Sequence, residues 1–196
     1  WRTRRVADIE KAFFTHEWGK FGFSFDKART LRIGADARRR AHESPCRVVG
    51  NRLMLSPYHI VPRHKAAILD AVNRFRPAFV HAYPSSAAAL ADLLTRSELD
   101  VEPRAVLLAS EPATGPQLAA IGRLFRCPVS VNYGLCERTN LAFAGFERGE
   151  GTPYAFQPLY GWTENRMDAG RAEIIGTSLW NDVMPLIRYR TGDYGL

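Results

Sequence analysis

The chain has 196 residues, of which 46% are hydrophobic and 24% are charged, so it is long enough to bury a core and too apolar to be a disordered segment. No apolar run reaches the roughly 18 residues of a membrane-spanning helix, and the start of the chain lacks the apolar centre of a signal peptide, so we expect a cytoplasmic protein. The three cysteines have no CxxC spacing, which argues against a zinc site or a disulfide framework.

The net charge of +7 raises the question of a nucleic-acid partner. Twenty acidic residues are interspersed among 27 basic ones, and the arginine clusters, such as residues 38–40, have no aromatic residues between them. A solvated surface helix explains an arginine triplet more simply than contacts to a phosphate backbone do. We therefore expect no nucleic-acid partner, while the positive field favours small anionic ligands.

Short β-branched runs alternate with longer amphipathic runs, which is typical of an α/β domain with a mostly parallel sheet flanked by helices. In chain order the pattern predicts strands at 30–33 and 48–55, a helix at 62–75, a strand at 79–81, a helix from a Ser85 cap to about 94, a strand at 105–109, a helix at 116–125 and a strand at 129–132. Beyond residue 145 glycine, proline and aromatic residues dominate, with strands predicted near 172–177 and 184–190. We therefore predict an α/β subdomain over 1–145 and a smaller β-rich subdomain over 146–196.

Two segments have the composition of a ligand site at strand ends. Residues 129–137 read Val-Ser-Val-Asn-Tyr-Gly-Leu-Cys-Glu, and residues 185–193 read Pro-Leu-Ile-Arg-Tyr-Arg-Thr-Gly-Asp. Ligand sites in open α/β sheets lie at the carboxyl ends of strands, so polar residues there are candidates for chemistry. Taken alone, Tyr133 also fits a core tyrosine, Glu137 a solvent-exposed helix start, and the Thr-Gly-Asp tripeptide an ordinary surface turn.

Together the two segments resemble the adenylate-forming enzymes, more closely the branch of phenylacetate–coenzyme A ligases and CapK-like proteins. The pattern of that branch is a strand, Tyr-Gly, two variable residues, Glu, and a later Tyr-Arg-Thr-Gly-Asp. Residues 51–59, 73–77, 81–85 and 110–112 also carry the resemblance, which covers roughly residues 30–196. It implies an ATP-dependent acid–thiol ligase that uses Mg²⁺ and coenzyme A and converts a small carboxylic acid into an acyl-adenylate.

The resemblance also implies roles for the matching residues. Glu137 would hold the magnesium ion as the catalytic carboxylate, and Asp193 would accept hydrogen bonds from both ribose hydroxyls. The other implied nucleotide-binding residues are Ser110, Glu111, Pro112, Tyr133, Gly134 and Cys136. The implied acyl-substrate residues are Tyr58, His59 and Tyr83. Residues 110–112 also fit a helix-entry loop, and the three acyl-substrate residues also fit ordinary core positions.

Departures from the family pattern bear on the expected activity. Cys136 stands where the wider superfamily commonly has Thr or Ser, and a thiol is a weaker donor to the α-phosphate. The sequence contains neither the Gly/Ser/Thr-rich phosphate loop nor the C-terminal lid with its lysine, so we expect a piece of a longer ligase that is inactive alone. Residues 143–156 lack the cysteine and histidine of some relatives, so no metal site is expected there. The alternative is a diverged, non-catalytic nucleotide-binding or scaffold protein of the same fold.

Overall fold

The computed structural model describes residues 2–147 and 149–195 of the chain. The α-helices in this part of the chain are α1 (Arg4–Gly19), α2 (Lys65–Phe75), α3 (Pro84–Leu93) and α4 (Gly115–Phe125). The strands are β1 (Thr30–Ile33), β2 (Cys46–Val49), β3 (Arg52–Leu55), β4 (Phe79–Ala82), β5 (Ala105–Leu108), β6 (Val129–Gly134), β7 (Leu141–Glu147), β8 (Glu150–Gly151), β9 (Ala155–Phe156), β10 (Gly161–Asp168), β11 (Arg171–Ser178) and β12 (Tyr189–Gly195).

The chain divides into two compact units. The first, here called the sheet unit, comprises Trp18–Val131 and Ala144–Pro153. The second, here called the terminal unit, comprises Trp1–Glu17, Asn132–Phe143 and Tyr154–Leu196. Each unit combines separate stretches of chain, so the single boundary predicted near residue 145 stays a prediction.

The sheet unit is built on a mostly parallel sheet. Its strand order is β2-β3-β1-β4-β5-β6, in which β2 is antiparallel to β3 and the other neighbours are parallel. All four residues of β5 are buried, as expected for a strand covered on both faces. The flanking helices bury apolar residues at spacings of three and four, among them Ile68 and Val72 on α2 and Ile121 and Leu124 on α4. The predicted α/β fold is therefore confirmed.

The terminal unit contains a small antiparallel sheet of order β10-β11-β12. It also contains most of α1, whose Phe13 ring lies edge-on to Tyr160 and whose Phe14 ring lies edge-on to Phe143. Helix α1 was not predicted from the sequence. Its first turn has no acidic residue to favour a helix start, so the usual signal of a helix beginning is missing.

Three element predictions were wrong in detail. Residues 48–55 form two antiparallel strands, because Gly50 adopts a φ of 57° and turns the chain within the apolar run. Helix α3 begins at Pro84 with Tyr83 at its N-cap, so Ser85 does not cap it. The last strand begins at Tyr189, later than the predicted start at residue 184. Across residues 2–147 and 149–195, no helix is both long and apolar enough to cross a membrane.

Candidate nucleotide site

Asp193 lies on a bulge of strand β12. Glu173 on β11 pairs with Tyr194 on β12, and Ile175 pairs with Arg190, so the register shifts between Glu173 and Ile175. Residues 191–193 of β12 therefore form a β-bulge. Gly192 has a φ of 76°, which glycine adopts without a steric penalty. The Thr191 Oγ1 donates to the Ile174 carbonyl at 2.7 Å and accepts from the Asp193 backbone N–H at 3.0 Å. The backbone of the bulge is thus anchored on β11 while the Asp193 side chain is exposed.

Two tyrosines bind the two predicted carboxylates. The Tyr133 hydroxyl, at the end of β6, donates to Asp193 Oδ2 at 2.8 Å. The Tyr189 hydroxyl, at the start of β12, donates to Glu137 Oε1 at 3.4 Å. Glu137 lies in the turn that follows β6 and is half-buried. All four residues belong to the terminal unit and are here called the tyrosine–carboxylate cluster.

The charges of the cluster act on both phenols. Burial, assisted by the hydrogen bond to Asp193, raises the pKa of Tyr133. The negative charge of Glu137, followed by burial, raises the pKa of Tyr189, and the charge of Asp193 adds to this effect. Both hydroxyls therefore remain protonated donors near pH 7. The sequence analysis did not single out Tyr189, although it lies inside the Tyr-Arg-Thr-Gly-Asp segment that carried the resemblance.

The remaining predicted residues of this segment are Gly134, at the end of β6, and Cys136, in the turn between β6 and β7. Gly134 and Cys136 are both exposed. A Cβ added to Gly134 would make only ordinary contacts, of which the nearest is to Leu141 Cδ1 at 3.5 Å. Packing therefore does not require glycine here, and the nucleotide-binding roles of Gly134 and Cys136 stay predictions.

The predicted nucleotide-binding residues 110–112 lie in the sheet unit, shortly after β5. Ser110 has a φ of 73°, a left-handed conformation that is uncommon for serine, and both Ser110 and Pro112 are exposed. Glu111 Oε2 accepts a hydrogen bond from the Ser85 backbone N–H at 3.1 Å. Glu111 therefore satisfies one of the free amides in the first turn of α3, a structural role that the sequence did not indicate.

The predicted acyl-substrate residues also lie in the sheet unit. Tyr58 is 66% exposed, whereas His59 is 2% exposed, and both belong to a single 3₁₀ turn after β3. His59 Nδ1 lies 2.9 Å from Ser56 Oγ, while its Nε2 has no hydrogen-bond partner among the described residues. The Tyr83 hydroxyl accepts from the Ala35 backbone N–H at 3.3 Å. Their roles in substrate binding stay predictions.

The donor set around Glu137 is compatible with magnesium. Residues 2–147 and 149–195 contain no group of three or more His, Cys, Asp or Glu side chains that could hold a metal by themselves. Magnesium needs no such cage, because it is usually held by one or two carboxylates and completes its shell with water and substrate phosphates. The half-buried Glu137 carboxylate, held by one long hydrogen bond, suits that mode of binding.

Comparisons with known proteins identify the fold. No protein-family model matches the sequence, and no curated protein matches it. The chain is similar to 2-hydroxyisobutyryl-CoA ligase in complex with 2-HIB-AMP and CoA in the thioesterification state, with a TM-score of 0.60 and 16% identity over 97% of this chain and 43% of that one. An open conformation of the same ligase gives a TM-score of 0.54 and 18% identity over 69% of this chain and 35% of that one.

A nonribosomal peptide synthetase is also similar, with a TM-score of 0.57 and 12% identity over 91% of this chain and 20% of that one. The chain thus spans less than half the length of each of these proteins. At these identities the likeness shows the fold alone, which the chain shares with parts of these solved structures.

Proposed function

We propose that the chain is part of an ATP-dependent carboxylic acid–thiol ligase that forms an acyl-adenylate and passes the acyl group to coenzyme A. The main observation in support is the tyrosine–carboxylate cluster, which joins the two motif segments through the Tyr133–Asp193 and Tyr189–Glu137 hydrogen bonds. The likeness to a ligase structure that contains 2-HIB-AMP and CoA supports the same reaction class. We assign the chain to the phenylacetate–coenzyme A ligase and CapK-like branch on its motif residues.

Asp193 is proposed to bind the ribose of ATP. Tyr133 occupies Oδ2, which leaves Oδ1 of this exposed carboxylate to accept from a ribose hydroxyl. The Tyr133 ring has edge-to-face neighbours in Tyr154, with ring centroids 6.4 Å apart, and Phe156, 5.9 Å apart. Aromatic rings beside a ribose-binding carboxylate suit a purine base, because its π-face stacks on such surfaces.

Glu137 is proposed to hold the magnesium ion that accompanies ATP. In the reaction, the substrate carboxylate attacks the α-phosphorus, an oxygen–phosphorus bond forms, and pyrophosphate leaves with the electrons of the broken bond. Bound magnesium would supply charge stabilisation for the phosphates. Glu137 would orient the ion, while Tyr189 restrains the carboxylate. The exposed Cys136 thiol would offer the α-phosphate a weaker donor than a hydroxyl.

The decisive experiment is ATP–pyrophosphate exchange by the full-length protein and three variants. Glu137→Gln is expected to reduce magnesium-dependent exchange by well over tenfold, and Asp193→Ala to raise the KM for ATP. Glu164→Gln is the matched control, because Glu164 is a half-buried carboxylate of the same unit on β10 that pairs with Arg188 at 3.3 Å. Exchange that is unchanged in both site variants refutes the assignment.

The class of acyl substrate is open to the same assay. The motif resemblance fits aryl acetates, fatty acids and sugar-linked carboxylates equally, so a screen of these acids by exchange identifies the substrate class. If the protein binds nucleotide but catalyses exchange with none of these acids, a diverged, non-catalytic nucleotide-binding protein is favoured. The feature that motivates this alternative is Cys136, which stands where Thr or Ser is common.

A further inference from the structure

The turn that carries Glu137 is tied to helix α1 by an ion pair. Arg138, the next residue, donates from Nη1 to Glu10 Oε1, and the two side chains are only 20% and 15% exposed. Glu10 is the centre of a small network, because Tyr160 donates to its Oε1 at 3.5 Å and Arg2 Nη1 lies 3.4 Å from its Oε2. A carboxylate with three donors is well restrained, so α1 offers the turn a fixed anchor.

The residues that follow Arg138 are seated on the small antiparallel sheet. Thr139 and Asn140 are buried, and Asn140 Nδ2 donates to Thr163 Oγ1 at 2.8 Å. A Cβ at Gly161 would lie 1.8 Å from the Thr139 carbonyl oxygen, and one at Gly176 would lie 2.0 Å from Asn140 Oδ1. Gly161 therefore admits the Thr139 backbone and Gly176 the Thr139 and Asn140 side chains, and the two glycines form a seat that any side chain would block.

The backbone of the turn needs such an anchor. Arg138 has a φ of 63°, a left-handed conformation that is disfavoured for any residue with a long side chain. Its backbone N–H donates to the Leu135 carbonyl at 3.1 Å. A non-glycine residue keeps this conformation only where its surroundings hold it. The ion pair with Glu10 holds Arg138 itself, and the glycine seat holds the two residues that follow it. Glu137, the residue before Arg138, accepts a hydrogen bond from Tyr189 at 3.4 Å.

We propose that Arg138 is a positioning residue, which through Glu10 of α1 holds the Glu137 carboxylate beside Tyr189 in the orientation needed to bind magnesium. The role of the metal rests on the proposed function, whereas the placement of Glu137 does not. Loss of the Arg138 anchor is therefore expected to weaken magnesium use without abolishing the chemistry at saturating metal.

Tyr189 reports the placement of Glu137 independently of activity. Tyrosines are labelled with ¹³C at Cζ, and the Tyr189 NMR signal is assigned with Tyr189→Phe. Glu137→Ala gives the chemical shift of Tyr189 without its hydrogen bond to Glu137. In Arg138→Gln the Tyr189 shift at pH 7 is expected to move toward that reference value, because Glu137 moves away and the hydrogen bond is lost.

Arg2→Gln is the matched control, because it removes another cation from the same Glu10 carboxylate without touching the turn. Its Tyr189 chemical shift is expected to match that of the unaltered protein. Arg138→Lys keeps the cation and is expected to keep the Tyr189 shift close to that of the unaltered protein. A folded Arg138→Gln variant whose Tyr189 shift equals that of the unaltered protein overturns the proposal.

The kinetic arm measures exchange by the full-length protein as magnesium is varied. Arg138→Gln is expected to raise the magnesium concentration for half-maximal exchange at least fivefold, with the rate at saturating magnesium within about twofold of the unaltered protein. Glu10→Gln takes its place if Arg138→Gln does not fold. An unchanged magnesium requirement in both contradicts the positioning role. If the unaltered protein lacks exchange activity, the proposed function fails, and the Tyr189 chemical shift alone decides the placement of Glu137.

Discussion

Replacing Gly161 with alanine tests how the Glu137 turn packs on strand β10. The new methyl group would lie 1.8 Å from the Thr139 carbonyl oxygen and 2.8 Å from its carbonyl carbon. Ordinary contact begins at 3.4 Å, so the backbone of the turn, which cannot rotate away as a flexible side chain does, must shift by more than an ångström.

The cost of this shift has two parts. Overpacking a well-packed site costs about 1–3 kcal/mol. Movement of the turn also disrupts the hydrogen bond of 2.8 Å that the buried Asn140 donates to the half-buried Thr163. A buried amide left without a partner costs about 1–3 kcal/mol more. We therefore expect Gly161→Ala to lower the free energy of unfolding by about 3 kcal/mol, a large share of the roughly 5–15 kcal/mol of a typical domain.

Urea unfolding followed by tryptophan fluorescence measures this loss. With an m-value of about 3 kcal/mol per molar urea, the midpoint of Gly161→Ala should fall by about 1 M. Gly195→Ala is the matched control on β12 of the same sheet, because nothing lies within 4 Å of its added Cβ and its φ is not in the left-handed range. Equal midpoints for the two variants would refute the close packing of Thr139 on β10.

Three further predictions concern pH and the Cys136 thiol. Burial raises the pKa of Tyr133 above its ordinary value of 10, so the stability that the neutral phenol contributes is lost as pH rises through the raised value. Tyr133→Phe should therefore reduce the fall of Tm above pH 10, and an unchanged fall of Tm in that range contradicts this prediction. The hydrogen bond from Lys65 lowers the pKa of Glu98 to about 2. The stability contributed by the ionised Glu98 is therefore complete above pH 4.5 and is lost as pH falls toward 2. Lys65→Gln should therefore lower Tm at pH 7 and make Tm fall less between pH 4.5 and pH 2. A fall of Tm over that range equal to that of the unaltered protein would contradict the prediction. Cys136→Thr restores a hydroxyl donor and should raise the exchange rate several-fold, whereas an equal or lower rate would show that the thiol does not limit adenylation.

Local sequence patterns predicted most elements of the sheet unit. The apolar run at β5 and the amphipathic stripe of α2 were recognisable because burial and periodicity act on neighbouring residues. The hairpin at Gly50 was missed because apolar residues on both sides of Gly-Asn read as one strand. Helix α1 was missed because it owes its place to aromatic contacts with distant residues such as Phe143 and Tyr160.

The sequence by itself determined the fold class, which follows from residue types along short stretches of chain, and its resemblance to the adenylate-forming enzymes indicated the candidate residues Tyr133, Glu137 and Asp193. Tertiary structure decided how those residues meet: the Tyr133–Asp193 hydrogen bond joins positions 60 apart, and the Tyr189–Glu137 bond joins positions 52 apart. Such pairs depend on the bulge and register of β12 against β11, which arise from strand pairing and from no local pattern.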